Sequence, residues 1–186
     1  MTGRFHTLFD LIDLSGVNRW LDIGCGPGTL FEQALQAGYE FDFLKGVDIS
    51  SEMIKVAKSK RLSGNIEFSE EDLELSPGPV KFDFVSMIGV LQQCAIKPVD
   101  AFKSVAQKMN PGGRFFFTTK HIGWVEFTSG RLEPERGHSW FSMPDLRDGL
   151  DEAGFSILHE GGLLPVERKF VSPEDSHTVY FLVELK

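Results

Sequence analysis

Stretches of β-type residues alternate with stretches of helical period along most of this chain, and that alternation limits its fold more than any other feature. Strand candidates fall at 19–23, 43–48, 65–69, 82–88 and 113–119, and helical patterns at 29–37, 51–61 and 99–109 lie between most of them. Strands joined through crossover helices run parallel, so the expectation is an α/β sheet with helices packed on it. A fourth helix opens in "SMPDLRDGLDEAGF", where Ser142 can cap, Pro144 sits early, Asp145 completes an S-x-x-D box and Gly154 stops the turn. Two more strands, 155–160 and 178–185, follow with no helix between them, so the last is expected to run antiparallel.

Before the first strand, Phe5, Leu8, Phe9 and Ile12 recur at helical spacing, which predicts a short N-terminal helix within residues 1–16. With 186 residues, 41% of them hydrophobic, the chain is read as one domain spanning 1–186. The 27 acidic and 19 basic side chains leave a net charge of -8, and no Lys/Arg-rich run is present, so nucleic acid is not an expected partner. Asp10 and Asp13 interrupt the first apolar stretch, which argues against a signal peptide, and residues 84–96 are too polar and too few to cross a bilayer. Cys25 and Cys94 have no metal-type spacing and form no disulfide framework. A cytoplasmic protein with no membrane partner and no metal is expected; the oligomeric state is not legible.

The turn after the first strand reads "WLDIGCGPGTL" (20–30). Glycines there let the backbone turn sharply and approach a ligand, and the next helix offers free N–H groups. A dinucleotide fingerprint would place a third glycine where Thr29 stands, and Asp22 would repel a pyrophosphate. A carboxylate in that place can instead hold a cationic amino group. Asp48, ending the second strand, can accept hydrogen bonds from ribose hydroxyls. The pair describes an adenosyl ligand that carries an amino acid, and S-adenosylmethionine fits both ends.

At this point the sequence resembles the class I S-adenosylmethionine-dependent methyltransferases, small-molecule type. "LDIGCGPGT", "GVDISSEMI" (46–54), "FDFVSMIGVLQ" (82–92) and "MNPGGRFFFTT" (109–119) carry the likeness, in the family's order and spacing. The resemblance implies a Rossmann-like three-layer sandwich with a mostly parallel seven-stranded sheet, order 3-2-1-4-5-7-6, strand 7 antiparallel. It implies that Asp22, Gly24 and Gly26 bind the methionine portion, Asp48 the ribose and Asp72 the adenine amino group. Cys25, Ile49, Met53 and Leu73 would lie beside them. It also implies a methyltransferase that releases S-adenosylhomocysteine after transfer to a small-molecule acceptor, with O-methylation of a metabolite or sugar ahead of N-methylation. A protein or peptide methyltransferase and an inactive S-adenosylmethionine-binding subunit are the alternatives.

No Asn/Asp-Pro-Pro-aromatic motif follows the fourth strand, where "SMIG" (86–89) stands, which tells against base methylation. Where many small-molecule members have Glu-His, this chain has Gln92-Gln93. His138 and His121 are therefore the expected catalytic residues, lying beyond the fifth strand. Residues 121–141, rich in aromatic and polar side chains and without a period, are expected to form a lid. Trp124, Phe127, Arg131, Arg136 and Trp140 would face the substrate or cover the sheet edge.

Overall fold

The structure is a computed structural model that describes residues 8–9, 11–72, 80–167 and 169–186. Strands β1 (Arg19–Ile23), β2 (Phe43–Asp48), β3 (Ile66–Glu70), β4 (Phe82–Ile88), β5 (Met109–Lys120), β6 (Phe155–Leu164), β7 (Lys169–Val171) and β8 (Thr178–Leu185) form one sheet. Its order is β3-β2-β1-β4-β5-β8-β6-β7. β1 pairs in parallel with both β2 and β4, and the parallel run extends outward to β3 and β5. β8 is antiparallel to β5 and to β6, as the missing crossover helix requires.

The pleat sends successive side chains to opposite faces, and the core divides accordingly. Leu21, Ile23, Val85, Met87, Phe115 and Phe117 pack on one face against Phe102 and Val105 of α3 (Pro98–Ala106) and Leu146 and Leu150 of α5 (Met143–Glu152). Trp20, Leu44, Phe68, Phe84 and Phe116 pack on the other, against Leu30 and Phe31 of α1 (Thr29–Gln36) and Ile54 and Ala57 of α2 (Ser51–Ser59). The result is three layers, with Leu8, Ile12 and Leu14 buried on the second face. The rest of the expected N-terminal helix, residues 1–7 and 10, lies outside the described residues.

Local chemistry sets the helix starts. Ser50 Oγ accepts the Met53 N–H at 3.3 Å to cap α2, and Ser142 Oγ accepts the Asp145 N–H at 3.2 Å to cap α5. The Asp145 carboxylate accepts a hydrogen bond from the Ser142 hydroxyl rather than closing the expected box on the backbone.

The sheet has eight strands among the described residues, not seven. The addition is β7, three residues that extend the sheet beyond β6 and are too short to show a period in sequence. β5 also begins earlier than expected. Met109 pairs with Phe82 before a register shift, so the Asn-Pro-Gly-Gly turn is absorbed into the strand as an irregularity, with Asn110 Nδ2 donating to Asp83 Oδ1 at 2.7 Å.

Residues 121–141 form a closed loop. Its base is tied by Ile122 N–H to Phe141 O (3.0 Å) and Phe141 N–H to Lys120 O (3.2 Å), and one helical turn, α4 (Val125–Thr128), lies within it. Trp124 stacks edge-on against Phe127 at 5.0 Å and His177 at 5.3 Å, and Trp140 meets Phe127 at 5.0 Å. The loop aromatics thus pack on one another and on the start of β8.

Candidate active site

The parallel strands end in three loops that are tied together. Gly24 and Cys25 donate their N–H groups to Val47 O at 2.8 and 3.0 Å, which fastens the loop after β1 to the end of β2. Gly24 has φ 69°, and a Cβ there would stand 2.1 Å from Val90 Cγ2, so both conformation and space require glycine. Gly28 caps α1 with φ 70°, and a Cβ there would meet the Phe68 ring at 2.8 Å. The glycines therefore bring β1, the loop after β4 and α1 close together.

Asp48 is the clamp between these loops. Its Oδ2 accepts the Gly26 N–H and its Oδ1 the Ser50 N–H, each at 2.8 Å. Its backbone oxygen accepts the Glu71 N–H at 3.2 Å, joining the ends of β1, β2 and β3. Each carboxylate oxygen keeps a further lone pair for a ligand hydroxyl.

A cavity of about 510 Å³ opens at this end of the sheet. Gly24, Asp48, Ile49 and Asp72 line it, as do Glu71, Ile88, Val90, Gln93, Cys94 and Ile96. Ile49 is 72% exposed on its rim, while Met53 is on α2, half-exposed and not among the lining residues. Among the described lining residues there are three carboxylates and no His, Lys or Arg. Leu73 lies outside the described residues.

Asp22 is 4% exposed and accepts a 2.6 Å hydrogen bond from Ser86 Oγ. Burial pushes its carboxyl up from 3.8 to about 7; the Ser86 bond opposes the rise and the nearby Asp48 adds to it. Burial also pushes the Cys25 thiol well up, helped by Asp22 and Asp48, so this cysteine is a packed spacer and not a thiolate. Asp22, Cys25 and Gly26 are not lining residues of the cavity; they sit in and beneath the loop that bounds it.

The structure does not bring His121 or His138 to the cavity wall. His121 follows β5 and is 4% exposed, its Nδ1 3.3 Å from Phe141 O, and burial pushes its pKa down. The cavity opens between β1, β2 and β4, whereas His121 is paired to Phe141 and hydrogen-bonded to His177, on the β8 side. His138 Nδ1 stands 3.7 Å from Glu135 Oε2. Arg131 pairs with Glu126 at 3.1 Å and Arg136 is exposed; neither lines the cavity.

Three features escaped sequence reasoning. Glu71, next to the expected Asp72, also lines the cavity and is held by Lys45 at 2.8 Å and by Ser69. Gln93 lines it too, its Nε2 donating to Gly89 O at 2.7 Å. Ser86 is the third: only strand register sets it opposite Asp22.

A parallel run of strands flanked by the antiparallel β8, with a glycine loop after β1 and an aspartate ending β2, is the architecture of class I methyltransferases. The profile of a family described as a methyltransferase domain matches residues 3–160, and the chain belongs to that family. Among relatives, a ubiquinone biosynthesis O-methyltransferase of Xanthomonas euvesicatoria pv. vesicatoria is 30% identical over 177 residues, covering 87% of this chain and 72% of the relative. A putative S-adenosylmethionine-dependent methyltransferase from Listeria monocytogenes matches the fold with a TM-score of 0.76 at 16% identity, over 99% of this chain and 98% of the other. Magnesium protoporphyrin IX methyltransferase from Synechocystis PCC 6803, with bound S-adenosylhomocysteine, matches with a TM-score of 0.72 at 22% identity, over 99% of this chain and 84% of the other.

Proposed function

We propose that this chain is an S-adenosylmethionine-dependent methyltransferase acting on a small, uncharged acceptor, with O-methylation favoured. The observation that carries the donor side is the Asp48 clamp at the mouth of a 510 Å³ cavity, with a buried carboxylate, Asp22, in the strand that leads into the glycine loop. A buried carboxyl pushed up by desolvation is a site that gains from a cation, and the ammonium of an amino acid is one. The residues present fit the group. On the cavity wall Asp48 would hold its ribose hydroxyls and Asp72 its adenine amino group, with Ile49 on the apolar flank and the Gly24 backbone against the amino-acid end; Asp22, beneath the glycine loop, would meet the ammonium from below that wall, and Met53 on α2 would stand behind Ile49. Bound there, the cofactor supplies an electrophilic methyl group on a sulfonium.

Ile88, Val90 and Ile96 are apolar and exclude water, while Asp48, Glu71 and Asp72 repel an anion. Nucleic acid is thereby disfavoured, and a small neutral molecule is favoured. In the 121–141 loop Trp124 and Trp140 pack on Phe127, which supports a small acceptor over a peptide. With no imidazole among the described lining residues, catalysis rests on holding the acceptor in line, as displacement at a methyl group allows. His138 and His121 keep a catalytic role in this reading only if the loop rearranges when an acceptor binds. The relative named for O-methylation supports oxygen as the atom methylated. A cytoplasmic setting belongs to the same proposal; no helix among the described residues is long and apolar enough to cross a membrane.

Calorimetric titration with S-adenosylmethionine, S-adenosylhomocysteine and NAD, beside Asp48→Ala, tests the donor site. Micromolar binding of the adenosyl ligands, lost in the variant, is expected; preference for NAD overturns the reading. Transfer of a labelled methyl group to small phenols and hydroxy acids then separates an active enzyme from an inactive binding subunit.

A further inference from the structure

The Asp22 carboxylate is the end of a chain of donors that crosses two strands. β1 and β4 lie side by side with Trp20 opposite Phe84 and Asp22 opposite Ser86. Trp20 and Asp22 are two apart, so both side chains leave the same face of the sheet. The Trp20 indole Nε1–H donates to Ser86 Oγ at 2.8 Å, and the Ser86 hydroxyl donates to Asp22 Oδ1 at 2.6 Å. Trp20 and Ser86 are fully buried and Asp22 nearly so.

A serine hydroxyl has one proton and two lone pairs, and an indole N–H can only donate. Trp20 therefore occupies a lone pair of Ser86 Oγ, and the single hydroxyl proton is turned toward Asp22. The 2.6 Å separation falls in the range of a hydroxyl donating to a charged carboxylate. We propose that Trp20 and Ser86 are positioning residues that aim the Asp22 carboxylate and favour its ionised form, so that a buried anion is ready for the ammonium of the cofactor's amino-acid end. The proposal rests on the donor site argued above.

The other groups around Asp22 work against ionisation. Desolvation acts first, and Asp48 at the end of β2 adds like charge. The Cys25 thiol in the glycine loop stays neutral, and β4 presents only the uncharged Ser86. Among the described residues no cation acts to lower the Asp22 pKa, which leaves the Ser86 hydrogen bond as the influence that does. Removing it would leave a desolvated carboxyl that stays protonated at neutral pH and cannot pair with an ammonium.

The test is the affinity for S-adenosylhomocysteine, measured by calorimetry from pH 5.5 to 9, for wild type, Ser86→Ala, Ser86→Cys, Trp20→Phe and the Trp20→Phe/Ser86→Ala pair. The ligand is common to all, so differences between proteins report on Asp22. A hydrogen bond to a charged group is worth roughly one pKa step or more, so Ser86→Ala should bind about tenfold more weakly at pH 7. The deficit should shrink toward pH 9 as the carboxyl ionises unaided. Ser86→Cys, a smaller change with a weak donor, should lie between. Trp20→Phe should weaken binding severalfold in the wild-type background and add nothing once Ser86 is gone. A deficit that is the same at every pH, or wild-type affinity in folded Ser86→Ala or Ser86→Cys, overturns the relay while leaving the donor site intact. Wild-type protein that binds no S-adenosylhomocysteine at any pH overturns the donor site, and the relay with it.

Discussion

Asp22→Asn removes the one buried carboxyl of the candidate donor site, and its effect on stability follows from where that carboxyl titrates. Asp22 ionises near 7 in the folded protein and near 3.8 when exposed, so between those values the folded chain holds a proton that the unfolded chain has released. Folding is then favoured by protons, and the group's contribution declines as pH rises from about 4 to about 7. At about 1.4 kcal/mol per pKa unit, the carboxyl costs the folded protein about 4 kcal/mol at pH 8, and roughly 2 to 3 kcal/mol of that cost appears between pH 5 and pH 8. Asparagine keeps an oxygen for the Ser86 hydroxyl and cannot ionise. Guanidinium unfolding of both proteins without ligand, followed by tryptophan fluorescence, should give a variant whose stability relative to wild type climbs by roughly 2 to 3 kcal/mol between pH 5 and pH 8. Comparing the two proteins at each pH cancels the many surface carboxylates that titrate in both. The same variant should lose binding of S-adenosylhomocysteine, so that a gain in stability accompanies a loss of function. A stability difference that is flat in pH would show that Asp22 carries its charge without cost, and the reasoning about this site would be refuted.

Gly24→Ala should cost about 2 to 4 kcal/mol in chemical denaturation, because its Cβ would stand 2.1 Å from Val90 Cγ2 at a positive φ; Val90→Ala in the same chain should recover part of that loss, and additive costs would count against the contact. His121 is held neutral by burial, so its contribution to stability is full above pH 6.5 and is lost as pH falls below it. His121→Gln should therefore flatten the loss of melting temperature between pH 7 and pH 5, and an unchanged slope would mean that the ring protonates freely in place. Trp140→Ala breaks the edge-on contact with Phe127 and removes the ring beneath Lys120, and should lower stability by about 2 to 3 kcal/mol. Since Trp140 is not on the cavity wall, calorimetric affinity for S-adenosylhomocysteine should change by less than about threefold; a larger loss would place the loop over the donor.

Much of this protein is written in its local sequence. The bounds of β1, β2, β4 and β8 agree with the apolar runs that mark them, since glycines, charged residues or turns stop those runs and burial on both faces requires them. The glycine loop and Asp48 were equally legible, because a positive φ at Gly24 and a carboxylate ending a strand are properties of a few adjacent residues. Longer-range relations were not. Three-residue β7 has no period of its own and exists by pairing with β6. The aromatics of 121–141 could have covered a substrate or one another; His177, which closes their ring from the start of β8, is far along the chain. The sequence places His121 after β5, where a base is expected, and only the fold shows that it is buried with its Nδ1 3.3 Å from Phe141 O. The clearest case is Asp22. Its residue type and position suggest a cation site, but its partners Ser86 and Trp20 meet only through the register of β1 on β4, which places residues more than sixty apart within hydrogen-bonding distance. The local chain determined that a carboxylate stands in the strand before the glycine turn. Tertiary packing decided that it is buried, how it is aimed and at what pH it carries its charge, because desolvation and hydrogen bonding depend on what surrounds a group in space and not on its neighbours in sequence.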